Sequence, residues 1–115
     1  MYDVIVVGAR CAGAPTAMQL ARKGHSVLLV DRAKFPSDTM STHFIQLPGM
    51  LRLQRWGIVD KVAGTNCPPV TIGRLSIDGE VAEAEFPMPE GIAGLLAPRR
   101  TVLDKILVDA AVDAG

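Results

Sequence analysis

The sequence of 115 residues predicts an α/β fold that is built around a parallel βαβ unit and carries an inserted β-hairpin. Within residues 2–32, a β-branched apolar run, a glycine turn, a helical segment and a second apolar run follow one another. Residues 70–86 contain two strand-like segments separated by an Asp-Gly pair, which is a strong hairpin signal. Aromatic residues make up only 4% of the chain, so the core must be aliphatic, as is typical beneath parallel sheets.

The βαβ unit is predicted from three consecutive segments. Residues 3–7 form a nearly unbroken apolar run, which predicts a strand buried on both faces. Residues 12–23 have helical character, with Pro15 in the first turn and small or apolar residues spaced i, i+3, i+4 and i+7, namely Ala14, Ala17, Met18 and Ala21. Residues 26–30 predict the second strand, which ends at Asp31, and we expect the crossover to be right-handed.

The remaining elements are a connection, a hairpin and a last helix. Residues 33–66 are predicted as a connecting loop and a helix over 49–56, which Gly57 stops. The hairpin strands are expected at 70–77 and 80–86. The last helix is predicted over 101–114, and its Thr101-x-x-Asp104 pattern indicates a capping box in which Asp104 is a helix cap.

Charge and composition exclude several classes of protein. Twelve basic and twelve acidic residues give zero net charge, which argues against a general nucleic-acid or membrane-surface binder. Residues 1–55 carry seven Lys/Arg against three Asp/Glu, which hints at an anionic ligand on the first half, although solvated surface charge explains the same asymmetry. No apolar run is long enough to span a membrane, there is no secretory signal, and two cysteines make no disulfide framework, so we expect a cytoplasmic location.

The loop between the first strand and the first helix carries the most specific signal. Its residues are Gly8, Ala9, Arg10, Cys11, Ala12 and Gly13, and Asp31 follows eighteen residues later at the end of the next strand. This is the context of a dinucleotide fingerprint: Gly8 permits the tight turn, Gly13 lets the helix pack on the strand, and the helix start binds a pyrophosphate. Asp31 can accept hydrogen bonds from an adenosine ribose. Arg10 occupies the second glycine position, where its side chain could contact phosphate if it turns outward.

Three other interpretations of this loop remain open. A generic tight βα turn would place glycine similarly, and an NAD-dependent Rossmann dehydrogenase would use the same fingerprint. A non-catalytic nucleotide-binding fragment is the third, because the sheet of a doubly wound domain would continue with a further parallel strand after the last helix. We therefore expect residues 1–115 to be the N-terminal portion of a Rossmann-like dinucleotide-binding domain.

The segment YDVIVVGARCAGAPTAMQLARKGHSVLLVDRAKFP resembles the start of flavoprotein monooxygenases and geranylgeranyl-reductase-like oxidoreductases of the para-hydroxybenzoate hydroxylase group. The resemblance implies an FAD cofactor, reduction by NADH or NADPH, and a small-molecule substrate that is hydroxylated or reduced at a double bond. It also implies that Asp31 and Arg32 form an acid-arginine pair beside the adenosine. In PRRTVLDKILVDAAVDAG, it implies that Arg100 contacts FAD near the pyrophosphate and ribityl chain.

Three more residues each have two possible roles, namely Ser41, Thr42 and Cys11. STHFIQLPGMLRLQRWGI resembles the stretch that follows the loop approaching the isoalloxazine, so Ser41 and Thr42 are candidate cofactor contacts, with ordinary loop residues as the alternative. Cys11 lies at a helix N-terminus that could lower its pKa, although a small, packed, inert thiol is the expected state. No residue is identified as a general base or nucleophile.

Overall fold

The computed structural model describes residues 1–115 and divides them into two compact units. The first unit contains Met1–Ser41 and Arg99–Gly115, and the second contains Thr42–Pro98. In chain order the elements are β1 (Val4–Val7), α1 (Gly13–Arg22), β2 (Val27–Val30), α2 (Leu47–Arg55), α3 (Val59–Ala63), β3 (Ile72–Ile77), β4 (Glu80–Glu85) and α4 (Arg100–Asp113). No helix combines the length and the apolar character that a membrane crossing requires.

The first unit contains the predicted βαβ arrangement. Strands β1 and β2 pair in parallel, in a register that places Val4 opposite Val27 and Val7 opposite Val30. Helix α1 begins and ends within one residue of its predicted bounds, and Pro15 lies in its first turn. The parallel βαβ unit predicted from the sequence is therefore confirmed.

The prediction that β1 is buried on both faces is wrong for this chain. Ile5 and Val7 are 62% and 82% exposed, whereas Val4 and Val6 are half-buried. Successive side chains of a strand point to opposite faces, and Val6 is on the face that approaches Gly13 of α1. The sheet of this unit has two strands, and the Ile5 and Val7 side chains stay accessible to solvent.

Helices α1 and α4 pack together to form the core of the first unit. Helix α1 contributes Ala14, Ala17 and Met18, and α4 contributes residues on one face, namely Leu103, Leu107, Ala110 and Ala111. The small side chains allow the two helices to approach closely. Complete burial of a side chain such as Met18 stabilises the fold by about 1.5–3 kcal/mol.

The second unit contains two helices and the hairpin. Its core is made by apolar residues of the helices and of the segment before Arg99, namely Met50, Leu53, Ile58, Val59, Val62, Ile92, Leu95 and Leu96. Helix α2 begins two residues before its predicted start, and Gly57 after it adopts a φ of 75°. The five-residue helix α3 was not predicted, because a helix of little more than one turn leaves no apolar periodicity to recognise.

The hairpin is confirmed, and its turn has the expected geometry. Strands β3 and β4 are antiparallel, with Ile77 opposite Glu80 across the two-residue turn. Asp78 and Gly79 have φ values of 50° and 89°, as a type I′ turn requires at both central residues. The strands are slightly shorter than predicted at their outer ends.

Candidate dinucleotide site

In the loop between β1 and α1, the backbones of Gly8 and Gly13 lie so close together that only glycine is tolerated at position 13. Gly8 adopts a φ of 100°, and its N–H donates to the carbonyl oxygen of Val30 at 2.7 Å. A β-carbon on Gly13 would lie 1.6 Å from the carbonyl oxygen of Gly8 and 3.3 Å from Cγ1 of Val6. The tight turn predicted at Gly8 and the close packing predicted at Gly13 are both confirmed.

The start of α1 offers unused backbone donors. The N–H groups of Ala12 and Gly13 make no hydrogen bond within the protein, and the first turn of the helix carries no acidic residue. Unpaired N–H groups and the positive end of the helix dipole together bind anions. The residues lining the adjacent pocket are Val7, Gly8, Arg10, Ala12, Gly13, Asp31 and Arg32. The structure thus brings together six of the eleven predicted cofactor residues on one pocket wall.

Asp31 has a defined role within this loop. Its Oδ2 accepts the N–H of Ala9 at 2.7 Å, and its Oδ1 accepts the N–H of Ala33 at 2.7 Å. The hydrogen bonds from Ala9 and then Ala33 hold the pKa of Asp31 below its ordinary value of 3.8. The carboxylate is therefore charged at neutral pH and ties the fingerprint loop to the end of β2. Its hydrogen bond to a ribose remains a prediction.

The side chain of Arg10 faces neighbouring protein groups. Its Nη1 donates to Oδ2 of Asp104 at 2.7 Å and to the carbonyl oxygen of Ser37 at 3.1 Å. Its Nη2 donates to Oγ of Ser37 at 2.9 Å and to the carbonyl oxygen of Asp38 at 3.4 Å. The guanidinium carbon also lies 5.3 Å from the centre of the Phe35 ring. The outward turn needed for phosphate contact is absent, because a buried carboxylate and loop acceptors hold the guanidinium.

The expectation that Asp104 is a helix cap is wrong. Helix α4 begins at Arg100, its N-cap residue is Arg99, and no side chain caps it. Asp104 lies one turn inside the helix with 0% of its surface exposed. Its Oδ1 accepts from Nε of Arg100 at 2.8 Å and from the Cys11 thiol at 3.2 Å, and its Oδ2 accepts from Arg10 and from Nη2 of Arg100. Burial acts to raise the pKa of Asp104, but the hydrogen bonds from Arg100, Arg10 and Cys11 outweigh burial and hold it below its ordinary value.

The possibility that the helix start lowers the pKa of Cys11 is also contradicted. Burial, followed by the hydrogen bond to Asp104, raises the pKa of the Cys11 thiol from 9.0 to about 11. The thiol is therefore protonated at neutral pH and donates to the carboxylate. Cys11 is exposed as a residue although its thiol is partly enclosed beside Asp104, and its chemical inertness remains a prediction.

The remaining predicted residues differ in how the structure places them. Arg100 is paired with Asp104, and this hydrogen bond raises the pKa of Arg100. Arg32 is exposed beside Asp31 on the pocket wall. Ser41 and Thr42 do not line the pocket, so their contacts to a cofactor remain predictions.

Sequence reasoning missed Asp104 as a member of the site. The signal that could have found it is the spacing of Arg100 and Asp104, one helical turn apart at the start of α4. An arginine in the first turn of a helix is disfavoured by the helix dipole, so we expect a nearby anion to compensate for its positive charge. The Thr101-x-x-Asp104 capping pattern accounted for the same aspartate, so the ion pair between Arg100 and Asp104 was not predicted.

A parallel βαβ unit, a loop closed by Gly13 and unused N–H groups at a helix start define a dinucleotide-binding domain of the Rossmann type. The sequence model of the FAD binding domain family matches residues 1–115, and the chain belongs to this family. The pocket fits the FAD cofactor that the family binds, since it is lined by Ala12 and Gly13, whose unpaired N–H groups at a helix start are suited to a pyrophosphate.

Curated relatives include both monooxygenases and a reductase. The chain is 32% identical to squalene monooxygenase of Candida glabrata over 117 residues, an alignment that covers 96% of this chain and 23% of the relative. It is 34% identical to menaquinone reductase of Mycolicibacterium smegmatis over 113 residues, covering 98% of this chain and 27% of the relative. The chain therefore spans about a quarter of the length of these relatives.

Solved structures support the same fold. A flavoprotein/dehydrogenase from Cytophaga hutchinsonii superposes with a TM-score of 0.81 at 26% identity, covering 99% of this chain and 28% of that one. The myxobacterial FAD-dependent halogenase CndH superposes with a TM-score of 0.81 at 24% identity, covering 99% and 27%. The Rossmann-like α/β fold predicted from the sequence is confirmed.

Proposed function

We propose that the whole protein containing this chain is an FAD-dependent oxidoreductase, and that residues 1–115 hold part of its cofactor. The observation that carries the proposal is the loop geometry at Gly8 and Gly13, with the unpaired N–H groups of Ala12 and Gly13 beside Asp31. When bound, FAD would supply the electron and hydride transfer chemistry of the reaction. The protein's own residues bind and orient the cofactor.

Each residue of the pocket has a proposed part in holding FAD. Ala12 and Gly13 donate backbone hydrogen bonds to the pyrophosphate. Asp31, ionised at neutral pH, accepts from the adenosine ribose while it continues to anchor Ala9 and Ala33. Arg32 provides positive charge beside it, and Arg100 provides positive charge near the start of α4.

The reaction proposed is either monooxygenation or reduction of a double bond, with NADH or NADPH as the electron donor. Monooxygenation is supported by the similarity to a squalene monooxygenase, and a reduction is supported by the similarity to a menaquinone reductase. Both squalene and menaquinone are apolar molecules with carbon–carbon double bonds, so we propose an apolar unsaturated small molecule as substrate. A cytoplasmic location and the lack of a nucleic-acid partner remain our predictions from composition and charge.

The experiment is to purify the whole protein, denature it and identify the released nucleotide by chromatography. We expect FAD, and we expect Gly13→Val to abolish its retention because the added side chain collides with the Gly8 carbonyl. Release of NAD without flavin would overturn the proposal in favour of a dehydrogenase. Anaerobic addition of NADH or NADPH, followed by bleaching of the flavin absorbance, then identifies the donor.

A further inference from the structure

Asp104 joins two neighbouring residues of the loop after β1, Arg10 and Cys11, to Arg100 at the start of α4. The carboxylate is fully buried, and both of its oxygens accept hydrogen bonds, from Arg10, Arg100 and Cys11. We propose that Asp104 is a positioning residue of the FAD site. Its carboxylate fixes the guanidinium of Arg100 in the orientation that binds an anionic group of the cofactor. It also holds the side chain of Arg10, which stabilises the loop after β1. This inference depends on the proposed function, because it assumes that FAD is the ligand.

The two arginines differ in the donors that they keep free. All four terminal N–H groups of Arg10 are used, since Nη1 and Nη2 each donate to two acceptors. Arg10 therefore stabilises the loop and has no terminal donor left for a phosphate. Arg100 uses only Nε and one N–H of Nη2, both on Asp104, so its Nη1 group and the second N–H of Nη2 remain available.

The charge of the cluster also favours an anionic ligand. Two guanidinium groups share one carboxylate, so the three side chains together carry one net positive charge. Their exposure is low, at 27% for Arg10, 15% for Arg100 and 0% for Asp104, and an ionic interaction is stronger where water is excluded. Arg10 itself lines the pocket that contains the unused N–H groups of Ala12 and Gly13.

The Nε and Nη2 pairing fixes the orientation of the Arg100 guanidinium. A planar guanidinium that donates from Nε and Nη2 to the two oxygens of one carboxylate is held in a single orientation. Without that contact, the Arg100 side chain would lose rotamer freedom each time it engaged a ligand. Asp104 thus reduces the entropic cost of cofactor binding without touching the cofactor.

The test uses the whole protein, without truncation, and four variants of it. For each, the affinity of the apoprotein for FAD and the free energy of unfolding are measured. Asp104→Asn, Arg100→Gln and their double mutant are compared with Asp109→Asn, a matched control in the exposed Lys105–Asp109 ion pair of the same helix. We expect Asp104→Asn and Arg100→Gln each to weaken FAD binding by about tenfold or more, the effect of one charge-assisted hydrogen bond. The double mutant should lose less affinity than the sum of the two single losses, because Asp104 acts largely through Arg100 and otherwise through Arg10, and Asp109→Asn should bind normally.

The coupling between the two positions separates positioning from a purely structural role. A structural role would lower the free energy of unfolding while the folded Asp104→Asn protein bound FAD normally, and that result would overturn the proposal. Additive losses in the double mutant would also overturn it, since Asp104 would then not act through Arg100. A wild-type protein that does not bind FAD would refute the proposed function instead.

Arg100→Lys provides the test if Asp104→Asn does not fold. Lysine retains the positive charge but cannot donate simultaneously from Nε and Nη2 positions, so it keeps the charge and loses the fixed orientation. We expect a clear loss of FAD affinity in Arg100→Lys. Normal affinity in this variant would mean that charge alone is sufficient and would overturn the proposal.

Discussion

Arg10 and Asp104 lie 94 positions apart in the sequence and form an ion pair of 2.7 Å in the structure. The pair connects the loop after β1 with the first turns of α4. It also explains how an arginine is accommodated at the second glycine position of the fingerprint. The side chain is directed toward Asp104 and Ser37, and its terminal donors are occupied there.

Arg10→Gly makes the loop match the glycine fingerprint more closely, yet we expect it to impair the protein. The variant removes the hydrogen bonds to Asp104, Ser37 and Asp38, and hydrogen bonds to a charged group contribute roughly 1.5–3 kcal/mol. Denaturant unfolding should register a loss of about this size, and FAD affinity should fall. Tighter FAD binding by Arg10→Gly would contradict the proposal that Arg10 stabilises the loop after β1.

Asp104→Asn should reduce stability and flatten its dependence on acid pH. Breaking a buried ion pair costs roughly 3–5 kcal/mol, and we expect about 3 kcal/mol because Arg10 and Arg100 keep some exposure to water. The folded pKa of Asp104 lies below its ordinary value of 3.8, so its stabilisation is fully present above that value and is lost as pH falls through the folded pKa. Unfolding measured from pH 7 down to acid should therefore be less pH-dependent in the variant. An unchanged acid profile would show that Asp104 is not the titrating group.

Gly13→Ala tests the contact with the Gly8 carbonyl using a single added carbon. Its β-carbon would lie 1.6 Å from that oxygen, so the backbone of the loop or of α1 must move. We expect a loss of at least about 1–3 kcal/mol in unfolding experiments, together with weaker FAD binding. Gly64→Ala is the control, because its β-carbon would lie 3.2 Å from the nearest atom, the Asp60 carbonyl oxygen, and should have a small effect.

The Cys11 thiol should react slowly although the residue is exposed. With a pKa raised to about 11, the reactive thiolate is scarce at pH 8. Iodoacetamide labelling followed by mass spectrometry should give a slow rate for Cys11 that rises toward pH 11. Asp104→Asn removes the negative charge beside the thiol and should accelerate labelling at pH 8. Rapid alkylation of the wild-type thiol at pH 8 would refute this assignment.

Asp31→Ala separates ribose binding from support of the loop. If the carboxylate accepts from the adenosine ribose, FAD affinity of the whole protein should fall by roughly tenfold. Binding of FMN, which lacks the adenosine, should fall by less than that of FAD, because FMN is affected only through the loop that Asp31 holds at Ala9 and Ala33. Equal losses for FAD and FMN would mean that Asp31 acts only through its hydrogen bonds to Ala9 and Ala33.

The sequence by itself determined the local parts of this domain. Glycine at positions 8 and 13, the apolar runs of β1 and β2 and the Asp78-Gly79 turn were all recognisable, because each reflects a conformational limit of the residue type or a short-range periodicity. The FAD binding loop could be predicted for the same reason. The short helix α3 has no such signature.

Only the tertiary structure decided how the charged residues are used. Asp104 satisfies a capping pattern in the sequence, but its burial and its partners Arg10 and Cys11 depend on α4 packing beside α1. The same packing redirected Arg10 and raised the pKa of Cys11. Hydrogen bonds between residues more than ninety positions apart leave no periodicity in the chain, because their formation depends on the fold and not on local conformational preference.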